Sequence, residues 1–265
     1  PYARSLTPAL AGLFLVGLAA CDSSPTGFED AASLSLGFRA ESGATASSSS
    51  AGPSTAPGLS PSVQVSGDNG TLTMDSVFLV VDEFKAEVEE GDCEGDAPEE
   101  ACARFEAEPF FLSLPLEADS ASESDRTVVA EVPVPPGTYT SFKFETKHPE
   151  DSLLAAIRDT GRHGLENWPG QASVLVVGDF DGESFRAFFD AEVKVVLPID
   201  PPLEVADEED ADGVTVVLDP GQWFTNDDGT VSDLTQFDYD PEAGGPVTKL
   251  EVKFLDAFTR IEVNE

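Results

Sequence analysis

Cations are scarce in this sequence: 14 Lys and Arg stand against 51 Asp and Glu, a net charge of −37 over 265 residues. Such a field repels phosphate backbones and anionic lipid headgroups, which argues against nucleic acid as a partner and against adsorption as a mode of membrane attachment. Imidazole is limited to His148 and His163, and neither lies in a recognisable nucleophile motif. Gly-x-Ser-x-Gly, phosphate-loop and dinucleotide fingerprints are absent. With 51 acids available, any pair resembling a glycosidase's carboxylates is uninformative. The expectation is a chain that is not an enzyme. Long apolar runs are missing too: Ala9 to Ala20 is twelve residues, too short for a membrane span and the right length for the apolar segment of an export signal.

That segment ends in Leu18-Ala19-Ala20-Cys21, behind the positive charge of Arg4. These four residues resemble the bacterial lipobox, in which the chain is cut before a cysteine that carries diacylglycerol. The resemblance implies a signal peptide over residues 1–20, lipidation of Cys21 and a lipid-anchored protein of the bacterial cell envelope. Cys93 and Cys102 are the other two cysteines, and in an exported chain they most simply form a disulfide. Closing the acidic loop between them stabilises by about 2.5–3 kcal/mol on a chain-entropy basis. A zinc pair is disfavoured, because neither further Cys nor a nearby His completes four ligands.

What is abundant points to β structure: Val, Phe and Thr are plentiful, with 22 Gly and 20 Pro. Leu34, Leu36 and Phe38 alternate within 31–39, a strand with one buried face, but Ser47 to Ser50 and Pro53, Pro57 and Pro61 follow in a segment too polar to fold. Residues 21–62 therefore read as a tether carrying one strand, which either crosses back to the main sheet or sits apart, and residues 63–265 as the folded domain. Within the domain, Val77 to Val81 is apolar on both faces, as in a central strand, and Phe84, Ala86 and Val88 then alternate with charges. Phe105 to Leu116 returns as the second arm of a hairpin. Asp151 to Arg158 makes two helical turns, with Asp151 or Ser152 as cap. The clearest period-two run is Phe185, Ala187, Phe189, Ala191, Val193, Val195 and Leu197. Eight or nine strands with hairpin-length links predict an all-β fold, an antiparallel β-sandwich of immunoglobulin-like or prealbumin-like type with one short helix and a disordered N-terminal tether.

At Val134-Pro135-Pro136-Gly137-Thr138-Tyr139 a proline turn feeds an alternating strand, and Trp223-Phe224 is followed by Asp228-Gly229 and Asp233. In these features the chain resembles the uncharacterised bacterial lipoproteins grouped as domain of unknown function 4382. The resemblance implies an anchored sandwich without assigned activity and carries over no functional residues.

Two loops are candidates for a hard cation such as Ca2+. Asp227, Asp228 and Asp233 surround a glycine turn, and Asp179 and Asp181 flank another, although both also read as ordinary turns and the first lacks EF-hand spacing. Trp223 is first a plug for the end of the sandwich and otherwise an aromatic platform; Trp168, beside Pro169-Gly170, is the better candidate for a surface contact with a ligand. The functional expectation is a non-catalytic envelope lipoprotein that presents an acidic binding or scaffold surface to an envelope protein or glycan. The alternatives are a calcium-stabilised carbohydrate-binding or adhesion module, then an envelope hydrolase.

Overall fold

The spine of the computed structural model is a nineteen-residue strand, β3 (Gly70–Val88). Described are residues 32–41, 62–88, 105–107, 109–114, 116, 127–134, 136–162, 164–206 and 211–264. In β3, Leu72 and Met74, then Val77, Leu79 and Val81, then Phe84 and Ala86 all enter one core. A strict two-residue period cannot do this, since the inward positions change from even to odd and back. Pairing slips once between Met74 and Ser76 and again between Val81 and Glu83. Each slip is a bulge that inserts one aspartate, Asp75 or Asp82, and returns the apolar face to the core.

Strands β2 (Val63–Gly67), β5 (Phe110–Leu114) and β4 (Phe105–Ala107) pair along one flank of β3. The return arm is thus two strands, interrupted at Pro109, which has no N–H for the ladder. The other flank takes β7 (Gly137–Thr146) and β8 (Val174–Phe180) end to end, with Thr146 opposite Val81 and Val174 opposite Leu79. Residues 147–173 leave and return at that break, carrying α1 (Asp151–Asp159). The helix is capped at Glu150, with no side-chain cap bond, rather than at Asp151 or Ser152. Beyond them, β9 (Glu183–Asp190) runs beside β8 and β10 (Val193–Val205) beside β7. The parallel strand β12 (Val247–Lys249) completes a nine-stranded sheet.

The second sheet has the order β13 (Phe258–Asn264), β11 (Ala211–Leu218), β1 (Ala32–Ala40), β6 (Thr127–Val134). The fold is therefore the all-β sandwich expected, antiparallel apart from the β1–β11 and β9–β12 pairs. The strand expected at 31–39 is β1, and it does not sit apart. It is hydrogen-bonded between β11 and β6, and Leu34, Leu36 and Phe38 are fully buried. The sandwich accordingly includes this strand as well as the 63–265 segment, because an apolar face of this size is stable only against the opposite sheet. Arg39 and Arg260 flank Val217 in register and share Glu262, at 2.8 and 2.9 Å, tying β1 to the C-terminal strand.

A second core lies on the outer face of the nine-stranded sheet. Ile157 of α1, Leu165, Trp168 and Ala172 cover Val80, Leu175 and Phe188. This explains why Val77 to Val81 is apolar on both faces: the excursion 147–173 adds a third layer there.

Candidate functional site

The two acidic loops predicted from sequence meet at one end of the sandwich, around the β2–β3 turn. On the β8 side, Asp181 accepts the Thr71 N–H at 2.8 Å and returns its own N–H to the Thr71 carbonyl at 2.9 Å. Asp179 accepts the Gly182 N–H at 3.0 Å. Asp181 and Gly182 have φ of 51° and 86°, the left-handed pair that a two-residue hairpin requires. On the β2 side the segment 225–233 is docked by Asn69, whose amide donates to the Val231 carbonyl and accepts the Val231 N–H, both at 2.8 Å. The Asn69 side chain thus acts as an extra peptide unit of the ladder, and Asp68 N–H adds a bond of 3.1 Å to the Gly229 carbonyl.

Most of the acids at this tip are engaged in local structure. Asp228 accepts from the Thr230 hydroxyl and N–H at 2.7 and 3.0 Å, which holds its carboxyl below the usual range. Asp233 caps the short helical turn Leu234–Phe237. The Thr235 hydroxyl, at 2.6 Å, and the Gln236 amide, at 3.1 Å, lower its carboxyl in the same way. Asp75 goes the other way, raised first by burial and then by the charge of Asp179. Asp227 is exposed on its loop. Among the described residues, no group of three or more His, Cys, Asp or Glu side chains is arranged to hold a metal ion. The topology therefore brings Asp179, Asp181, Asp227, Asp228 and Asp233 to one end without converging them on one point, as several carboxylates must to bind Ca2+.

The tryptophans are not surface contacts. Trp168 has no exposed area: it packs edge-on against Phe111 and Phe188 at 5.5 and 5.3 Å, and its indole N–H donates to the Ala172 carbonyl at 2.8 Å. The expectation of an exposed ligand contact fails because α1 and the 161–172 loop form a core of their own, with Arg158 closing it by donating to the Trp168 carbonyl at 2.7 Å. Trp223 is 1% exposed, stacked on Phe254 at 4.8 Å and bonded through its indole N–H to the Phe254 carbonyl at 3.2 Å. It is the plug, not a platform. His148 sits at the end of β7, half exposed, with Glu192 Oε1 2.7 Å from Nδ1. The expected lipidation at Cys21, the disulfide between Cys93 and Cys102 and the candidate base His163 lie outside the described residues.

Sequence reasoning missed Asn69 and Lys253. The Lys253 ammonium, from the one-turn helix α2 (Glu251–Phe254), donates to the Thr225 carbonyl at 2.8 Å and to Asn226 Oδ1 at 2.7 Å. No spacing rule could find these residues, because Asn69 meets its partner across 162 positions and Lys253 across 27 or 28.

No family model matches the chain, and no curated protein is significantly similar to it. Among solved structures it is similar to MbnP from Methylosinus trichosporium, with 12% identity, a TM-score of 0.39, and coverage of 77% of this chain and 80% of that one.

Proposed function

We propose that this chain is a non-catalytic lipoprotein of the bacterial cell envelope, held to its membrane by lipid on Cys21 and presenting the acidic β-sandwich as a binding or scaffold module. The observation that carries the reading is Leu18-Ala19-Ala20-Cys21 followed so soon by β1. From Cys21 to Ala32 is a leash that spans at most about 40 Å when fully extended. A leash of that reach attaches the sandwich through a strand that is integral to it.

The arrangement of the ends supports presentation of the tip. Ala32 pairs with Val134, at the end of β6, and β7 begins three residues later at Gly137, opposite Val205. Tyr139 of β7 lies opposite Val88, at the far end of β3 from the 68–71 turn. At about 3.3 Å per residue, β3 separates the leashed end from the acidic tip by roughly 55–60 Å. A net charge of −37 keeps the body from adsorbing to anionic lipid, so attachment depends on the covalent anchor.

Metabolic labelling with radioactive palmitate and fractionation of cells expressing wild type or Cys21→Ser tests this. Wild type should take up label and sediment with membranes, and the variant should do neither. A Cys21→Ser chain that stays with the membranes would overturn the anchor.

A further inference from the structure

The segment 225–233 has the composition of a cation loop, and a cation is already there. The ammonium of Lys253 lies 2.8 Å from the Thr225 carbonyl oxygen and 2.7 Å from Asn226 Oδ1. Both are oxygen donors of the kind a hard metal ion would take. We propose that this loop is a cation site whose resident cation is the protein's own Lys253 ammonium, so that the loop keeps its shape without calcium.

Three features make the ammonium part of the site rather than a chance neighbour. Its helix is fixed, because Phe254 stacks on Trp223 and its carbonyl accepts the Trp223 indole N–H. Its acceptors are fixed as well: Thr225 donates to the Gly221 carbonyl through its hydroxyl at 2.9 Å, and the Asn226 amide is oriented by donating Nδ2–H to Thr230 Oγ1 at 3.0 Å. The Thr230 hydroxyl then donates to Asp228 Oδ1 at 2.7 Å. A polarised chain therefore runs from ammonium through amide and hydroxyl to carboxylate, with every donor and acceptor in the consistent sense, and such chains strengthen their members. Asp228 balances the charge through two neutral groups instead of touching the cation.

The test is hydrogen exchange of the 225–233 segment in the detergent-solubilised full chain, with EDTA or with millimolar calcium chloride. Wild type should exchange at the same rate in both. Lys253→Met keeps the aliphatic stem but removes the charge, so a packing role would survive it. The cation role predicts roughly ten- to hundredfold faster exchange, the loss expected for hydrogen bonds from a charged donor. Lys253→Arg should retain most of the protection. Should Lys253→Met fail to fold, Asn226→Ala removes one cradle oxygen instead and should loosen the same segment. Tightening of the wild-type loop by calcium, or unchanged exchange in Lys253→Met, or in Asn226→Ala where that variant replaces it, overturns the inference.

Discussion

Phe38→Ala measures whether β1 belongs to the folded body. Phe38 has no exposed area, and its ring meets Phe110 of β5 at 6.5 Å and Phe144 of β7 at 6.2 Å, both edge-on and both in the opposite sheet. Truncating a buried phenylalanine costs about 3–5 kcal/mol, as lost transfer energy plus the cavity left behind. Collapse should be limited here, because the neighbouring inward residues Leu34 and Leu36 are fully buried on a strand paired on both sides. For a body of this size each kcal/mol lowers the melting temperature by about 2–4 °C, so the variant should melt about 6–20 °C below wild type. Urea unfolding of the lipid-free Cys21→Ser chain, with and without Phe38→Ala, gives the free energy directly, and Ser35→Ala, on the other face of the same strand, should change it by less than about 0.5 kcal/mol. A loss below about 1 kcal/mol for Phe38→Ala would mean that residues 32–40 are a tether strand after all, and the four-stranded sheet would have to be redrawn.

Two further outcomes follow from the tip and the second core. With Trp168 and Trp223 at 0% and 1% exposure, iodide should barely quench native fluorescence, and Trp168→Phe should cost about 1–3 kcal/mol by leaving the Ala172 carbonyl without its donor; ready quenching of the native chain would contradict the buried layer. Acid should weaken the tip through Asp228 and Asp233. Their carboxyls are lowered in the fold by bonds from Thr230 and from Thr235 and Gln236, so their support is present above the ordinary carboxylate range and is lost as pH falls through the lowered values. Asp75, raised by burial and Asp179, acts in the opposite sense and opposes folding as pH rises past its ordinary value. Asp233→Asn should therefore flatten the fall in stability below about pH 4, while Asp75→Asn should raise stability at neutral pH; the reverse pattern in urea midpoints across pH would refute both assignments.

The local readings held where one residue's environment depends on its near neighbours. The inward alternation from Phe185 to Leu197 and the Asp181-Gly182 hairpin fold as their sequence directs, although the first run is divided at Ala191-Glu192 into β9 and β10, which pair with different strands. The readings failed where the environment is set at long range. Trp168 sits in a segment with loop composition, and only the apolar outer positions of distant strands, Val80, Leu175 and Phe188, say that something must cover them. The sign was present in the two-sided apolarity of Val77 to Val81, which marks a strand covered on both faces without naming the cover. The acidic loops were legible as loops; their convergence on the 68–71 turn depends on which flank of β3 receives β2 and which receives β8, and no residue spacing encodes that.

The break between β7 and β8 shows how the third layer is added without loss to the sheet. Where the chain departs at Thr146 and returns at Ser173, both residues are fully buried, a position that would otherwise leave polar groups unpaired. The Ser173 carbonyl accepts the Val80 N–H at 2.8 Å, so the β3 ladder continues across the gap, and the Ser173 N–H reaches the Phe189 carbonyl at 2.9 Å. On the far side, where β9 hands over to β10, the Ser173 hydroxyl accepts the Ala191 N–H at 2.8 Å and the Thr146 hydroxyl donates to the Ala191 carbonyl. Two hydroxyls thus supply the bonds that the interrupted strands cannot, which leaves residues 147–173 free to fold back over the sheet and bury Trp168. The layer they form covers the outer face of β8 and β9, the strands whose turn carries Asp179 and Asp181. Leu175 of β8 and Phe188 of β9 lie opposite each other beneath that layer, and the strands run on from there to the tip, whose exposed loops are held by Asn69, Asp181 and Lys253.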